Sequence, residues 1–219
     1  MVVRENFEQS LKVLQEKIME MTELTVSMLE KSFYAMKTQD IEASLRVMED
    51  DNEIDELEEE INHLAIWLVV KESPVARDLR MIIGIIKISS EIERIADFGV
   101  NFAKSTIIMG NEDELMDVSK LEQMKEICIT MLRKSLVSFF DGDLALAKQV
   151  GDMDDEIDDL SDQTYKEFTK YLSENPEKTN QIVQLLLINR YLERIGDHIT
   201  NIGESAAYLI KGRMYDLNQ

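Results

Sequence analysis

Glu93-Arg94-Ile95-Ala96-Asp97 returns one hundred residues later as Glu193-Arg194-Ile195-Gly196-Asp197, and each copy is followed four residues on by an asparagine, Asn101 and Asn201. Upstream, Asp51-Asn52-Glu53-Ile54-Asp55 returns 103 residues later as Asp154-Asp155-Glu156-Ile157-Asp158. Two acidic segments repeated in the same order at nearly the same step mark a tandem duplication. The chain reads as two similar halves, residues 1–112 and 113–219, and both halves keep their carboxylates.

The sequence of 219 residues carries only two prolines and eight glycines, with 44% hydrophobic residues. That composition favours long uninterrupted helices over a turn-rich β-fold, and the fold class is all-α. In the first half Phe7, Leu11, Leu14, Ile18, Met21 and Met28 recur at helical spacing and predict a helix from about residue 4 to Lys37. After a polar break at Thr38-Gln39-Asp40, a second stripe runs through Val47, Ile54, Ile61, Ala65 and Leu68. Ser73-Pro74 reads as an N-cap and first-turn proline opening a third helix, whose apolar face is Ile82, Ile86, Ile92, Ala96, Val100 and Ala103 and whose stop is near Gly110. The second half repeats the punctuation: Ser119-x-x-Glu122 as a capping box, Asp141-Gly142-Asp143 as the first break, Asn175-Pro176 as the second, Gly212 as the stop. The polar stretch 111–118 is the expected linker. The prediction is two tandem three-helix bundles related by a pseudo-twofold.

A formal net charge of −20 repels phosphate backbones and disfavours nucleic acid as a partner. Cations and basic protein surfaces suit it better. One cysteine, Cys128, leaves nothing to pair with inside the chain, the residues after Met1 lack the apolar run of a secretory leader, and the stretch 64–70 is far short of a membrane span. A reducing, cytoplasmic setting is expected.

Short connections make neighbouring long helices antiparallel, so residues facing each other across a turn have numbers that average to the turn position. Asp51 with Asp97, and Asp55 with Glu93, average to 74, which is Pro74. Asp154 with Asp197, and Asp158 with Glu193, average to a point between Asn175 and Pro176. Four carboxylates from two helices should therefore meet at one level in each half, with Asp51, Asp55 and Glu59 in one row and Glu93, Asp97 and Asn101 in the other. Asp51 and Asp154 also interrupt apolar stripes, which desolvates them. Two unit charges ~5 Å apart at an effective dielectric of ~20 repel by roughly 3 kcal/mol, so such clusters call for protons, basic partners or bound cations. All-oxygen donors suit hard cations such as iron, manganese or magnesium.

Plainer readings hold for other residues. A charge run in a long helix is ordinarily a solvated face, and Glu56, Glu60, Asp152 and Asp159 are read so, with Arg94 and Arg194 as ion-pair partners across the bundle. Asp152-x-Asp154-x-Glu156 lacks the glycine of a calcium loop. Glu60-x-x-His63 lacks the second copy that a di-iron bundle needs, and His63, opposite Ile85, is read as a satisfied structural histidine. His198 faces away from the Asp97-type position. The methionines and Cys128 are read as core. No phosphate loop or nucleophile–base set is apparent, so the chain is not read as an enzyme.

The duplicated Glu-Arg-Ile-x-Asp followed by Asn, the upstream Asp-x-x-x-Asp rows, and Ala76-Arg77-Asp78-Leu79-Arg80 at the entry to the third helix together resemble the PhoU family of phosphate-uptake regulators, across essentially the whole chain. The resemblance implies paired three-helix bundles holding multinuclear metal clusters, iron foremost, with manganese, magnesium or zinc as alternatives. By position the ligands are Glu93, Asp97, Glu193 and Asp197 from the motif, Asp51, Asp55, Asp154 and Asp158 from the preceding helices, and Asn101 and Asn201 as lesser candidates. It implies a negative regulator of high-affinity phosphate uptake and of phosphate-starvation two-component signalling, with a phosphate ABC transporter ATPase and a sensor histidine kinase as partners, a homodimeric state, and a place at the membrane periphery through those partners. The departures are Ser161 and Asp162 where the first half has Glu58 and Glu59, and Glu177-Lys178-Thr179-Asn180 where it has Val75-Ala76-Arg77-Asp78. Two other classes stay open: a metal-storage or di-iron-type helical protein unconnected with phosphate, and a metal-free helical scaffold.

Overall fold

A computed structural model of the chain describes residues 2–110 and 117–211. Among the described residues six long helices follow in order: α1 (Val2–Thr38), α2 (Ile41–Glu72), α3 (Arg77–Met109), α4 (Ser119–Asp141), α5 (Leu144–Glu174) and α6 (Thr179–Lys211), with a 3-10 turn at Pro176–Lys178 before α6. There is no strand among the described residues. α1 packs on α2 and α3, α4 packs on α5 and α6 in the same pattern, and the halves join chiefly through α3 against α6. α1 also touches α4. Counterpart meets counterpart, which is the relation a twofold axis generates.

The apolar stripes go where their spacing sends them. Leu14, Ile18, Met21 and Met28 of α1, Val47, Ile54, Ile61, Ala65 and Leu68 of α2, and Ile82, Ile92, Ala96 and Ala103 of α3 are buried in one core, continued in the second half by Val150, Ile157, Ile188, Ile195 and Ile199. Aromatic contacts line the seam between halves, where Phe98 and Phe102 lie 5.7 and 6.1 Å from Tyr191, centroid to centroid. Two ion pairs tie the halves from outside, Arg133 to Glu23 at 3.0 Å and Lys37 to Glu122 at 2.9 Å.

The first breaks are duplicated in detail. Asp40 caps α2 by accepting from the Ala43 N–H at 2.9 Å, and Asp143 caps α5 by accepting from Ala145 at 2.9 Å and Leu146 at 3.2 Å. Each cap satisfies donors that a helix start leaves open. The residue before each cap is left-handed, Gly142 at φ 72° and Gln39 at φ 55°. Only Gly142 takes that conformation without the clash a Cβ brings.

The second breaks differ from expectation. Ser73 does not cap α3: it ends α2 at φ 47°, its N–H donating to the Val69 carbonyl at 3.2 Å. Pro74 has no N–H to extend a helix and disfavours helical backbone at the residue before it, so α3 starts at Arg77. In the second half Pro176 does stand in a helical first turn, that of the 3-10 segment, while Asn175 closes α5 through its N–H to the Tyr171 carbonyl at 2.9 Å. The capping box at Ser119 does not form. Ser119 is already helical, Asp117 accepts from its N–H at 2.9 Å, and Glu122 turns to Lys37. Residues 111–116 of the expected linker, the boundary at 112/113 and the stop at Gly212 lie outside the described residues.

Candidate functional site

Antiparallel packing of α2 on α3 brings the first-half carboxylates to one level. Burial pushes the Asp51 carboxyl above its ordinary range, and Asp55 and Asp97 add to that, opposed by Lys104. Glu93, with a side chain 19% exposed, is pushed up to about 7 by burial first and then by Asp97, with Arg94 opposing and Glu58 and Asp55 reinforcing. Asp51 thus feels Asp97, and Glu93 feels Asp55, the two pairings whose numbers centre on Pro74. In the second half burial again raises Asp158, followed by Glu193, Asp197, Asp155 and Asp162.

The clusters are related but not alike. Asp154 is buried, 4% exposed, because it folds against the α-carbon of Gly196: a Cβ there would collide with its Oδ1. Ala96 supplies that methyl in the first half, and there Asp51 stays half-buried beside Asp97. Glu193 is also better compensated than Glu93. Arg190 Nη1 pairs with it, and Ser161 Oγ donates to it at 3.4 Å. Ser161 is itself fixed by Asn189, whose Nδ2 donates to the Ser161 hydroxyl at 2.9 Å and to its carbonyl at 3.2 Å.

Several expected roles move. Glu59 is exposed and lies 4.0 Å from His63, whereas Glu58 is the residue that reaches Glu93. Seven residues complete almost two whole turns of 3.6 and eight overshoot, so Glu58 lies on the Asp51 face and Glu59 does not. Ser161, its counterpart, meets Glu193 for the same reason. His63 is exposed and does not face Ile85, since Ile61, Ala65 and Leu68 already define the buried side of α2. Arg94 and Arg194 pair within their own helix, with Asp97 at 3.3 Å and Asp197 at 3.2 Å, not across the bundle. Asn101 is half-buried, while Asn201 donates to Glu91 at 3.3 Å and His198 Nδ1 stands 2.6 Å from the same carboxylate. That trio bridges the halves. Glu56, Glu60, Asp152 and Asp159 are exposed, as a solvated face requires. Cys128 is buried, its thiol donating to the Leu192 carbonyl at 3.6 Å and raised in pKa by burial and by Asp154.

Among the described residues no three carboxylate, imidazole or thiol groups are already gathered as a metal ion requires. The donor set nonetheless suits a hard cation: it is all oxygen, and at Asp51, Glu93 and Asp158 burial first and neighbouring carboxylates second push the carboxyl above its ordinary range, a repulsion that a cation would relieve. Among the described residues, no helix is long and apolar enough to cross a membrane.

Comparison with known proteins agrees with this architecture. Residues 18–106 and 121–206 each match the PhoU domain, one match in each half. A phosphate-specific transport system accessory protein PhoU homolog of Clostridium acetobutylicum is 34% identical over 99% of this chain and 100% of its own length. One of the same description from Aquifex aeolicus is 34% identical over 91% of this chain and 90% of its own. The crystal structure of PhoU from Pseudomonas aeruginosa superposes with a TM-score of 0.87 at 27% identity, covering 94% of this chain and 100% of that one. That of the phosphate transport system regulatory protein PhoU from Streptococcus pneumoniae gives 0.88 at 27% identity, covering 96% and 99%. With both halves matched and relatives of this identity aligned nearly end to end, the chain belongs to the PhoU family.

Proposed function

We propose that this chain serves the phosphate-specific transport system as a cytoplasmic negative regulator of high-affinity uptake and of phosphate-starvation signalling, a homodimeric adaptor and not a catalyst. The observation that carries the reading is a group of mutually repelling carboxylates from two helices in each half, Asp51, Asp55, Glu93 and Asp97 in the first and Asp158, Glu193 and Asp197 in the second, in a chain whose relatives are described as accessory or regulatory proteins of phosphate transport. Asp51, Asp55, Glu93 and Asp97 in one half, and Asp154, Asp158, Glu193 and Asp197 in the other, would hold a hard cation, with Glu58 beside the first set and Asn101 and Asn201 as lesser candidates. Iron is the first choice of metal. A cation held by these residues would neutralise their charge, and because the carboxylates come from α2 and α3 in one half and α5 and α6 in the other, they would tie each helix pair together. The chain's own side chains set what remains: Arg94 and Arg194 hold Asp97 and Asp197 in place, and Arg190 and Ser161 keep Glu193 compensated.

Binding of a transporter ATPase or a sensor kinase to such a stiffened acidic body is the output this reading assigns. Its test is genetic. Deleting the gene raises phosphate uptake or starvation-gene expression under phosphate-replete conditions, and reversing the charge of Glu93 and Glu193 reproduces part of that effect. Unchanged uptake and unchanged expression in the deletion strain defeat the regulator reading and bring a metal-storage role forward.

A further inference from the structure

The duplication supplies an internal control for the tips of the two long hairpins. At the end of α2, Ile66 (57% exposed), Trp67 (47%) and Val70 (76%) face solvent, and Val75 (74%) continues the patch into the turn. Ile66 and Val70 are one turn apart, as are Trp67 and Val70, so the side chains are neighbours. The second half builds the same hairpin with Thr169, Lys170, Ser173 and Glu177 at the matching places. Folding therefore does not require apolar residues there. A contiguous exposed apolar patch without a folding role marks an interaction surface.

Charge at this tip is the opposite of the rest of the molecule. Lys71, Arg77 and Arg80 outnumber Glu72 and Asp78 in a chain of net charge −20. Lys71 lies over the Trp67 ring, 4.2 Å from its centroid, and 3.3 Å from Glu72, whose own side chain is only 11% exposed. Arg77 is exposed. Apart from Glu72, the nearest acids of α2, Glu58, Glu59 and Glu60, lie about 16–20 Å back from Lys71 at 1.5 Å per residue, about twice the ~8 Å screening length at physiological salt, and Glu60 is itself paired with Lys17. They do not cancel the tip.

We propose that the α2–α3 tip of the first half contacts an anionic lipid surface directly. A tryptophan and three aliphatic side chains amid Lys and Arg are the residue types that settle at a bilayer interface, the rings and methyls among the acyl-chain ends and the cations at the headgroups. This contact is independent of the metal reading and adds direct lipid binding to attachment through protein partners.

Trp67 is the only tryptophan in the chain, so its fluorescence reports on this patch alone. Full-length protein is titrated with vesicles of phosphatidylcholine containing phosphatidylglycerol, and with phosphatidylcholine alone, at physiological salt. The expected result is a blue shift of Trp67 emission and co-sedimentation with the anionic vesicles, with partitioning about fivefold stronger than on neutral ones for a net excess of one basic side chain. Val70→Asp, at a position where the second half has serine, abolishes the shift with helical content unchanged by circular dichroism, and Lys71→Glu with Arg77→Glu removes the preference for anionic lipid. No shift on anionic vesicles overturns the proposal. So does an equal shift on neutral vesicles, or a shift that grows with protein concentration without lipid, which would assign the tip to a second copy of the chain.

Discussion

Replacing Glu93 by glutamine removes the most strained charge of the first cluster while keeping its shape. The Glu93 carboxyl is pushed from 4.5 up to about 7 by burial and by Asp97, Glu58 and Asp55. At 1.36 kcal/mol per pH unit that is about 3 kcal/mol at most, and solvent screening at this partly exposed position reduces it to about 1–2 kcal/mol. The folded protein holds this proton more tightly than the unfolded chain. The contribution is thus complete below about pH 4 and is lost as pH rises through 7. In chelator-treated protein, Glu93→Gln should therefore match wild type near pH 5 and exceed it at pH 8.5 by about 1–2 kcal/mol, or roughly 2–8 °C in Tm for a chain of this size. Thermal and urea unfolding at both pH values measure this. A variant less stable than wild type at pH 8.5, or one shifted equally at both, would refute the electrostatic reading of the cluster.

Three further substitutions test the scaffold. Gly84→Ala places a Cβ 2.6 Å from two ring atoms of Phe139, whose ring is fully buried; urea unfolding should show a loss of about 1–3 kcal/mol. Asp143→Ala frees the two N–H groups of Ala145 and Leu146 and should lower stability by about 1 kcal/mol in the same assay. Cys128→Ser should leave phosphate uptake unchanged, and the native thiol, buried and raised in pKa, should resist a thiol reagent until the protein unfolds.

The features legible in the sequence are those set by counting. The duplication, the helix count, the breaks at Asp40 and Asp143, and the level of the carboxylates all follow from offsets and midpoints, which do not depend on side-chain rotation. Features set by a fraction of a turn were harder to read. A row built in steps of four puts Glu59 on the cluster face where Glu58 belongs, because such steps drift from a 3.6-residue turn after two of them. Level alone sets His63 against Ile85, and level says nothing about which way a side chain points. The capping box at Ser119 failed because Asp117 competes for the same N–H, and Ser73 closes one helix instead of opening the next. The inequality of the clusters was visible only in part: Ser161 for Glu58 could be seen, but that Gly196 admits Asp154 to the interior needed the packing of α5 on α6.

Cation binding at the duplicated carboxylates is the claim on which the account turns, and calorimetric titration of chelator-treated protein with iron and manganese, beside elemental analysis, tests it most directly. Binding in both halves is expected, with a lower bound stoichiometry in the Asp97→Ala, Asp197→Ala double variant and the fold intact. Wild-type protein that takes up neither metal, or a double variant that binds as much as wild type, would contradict it.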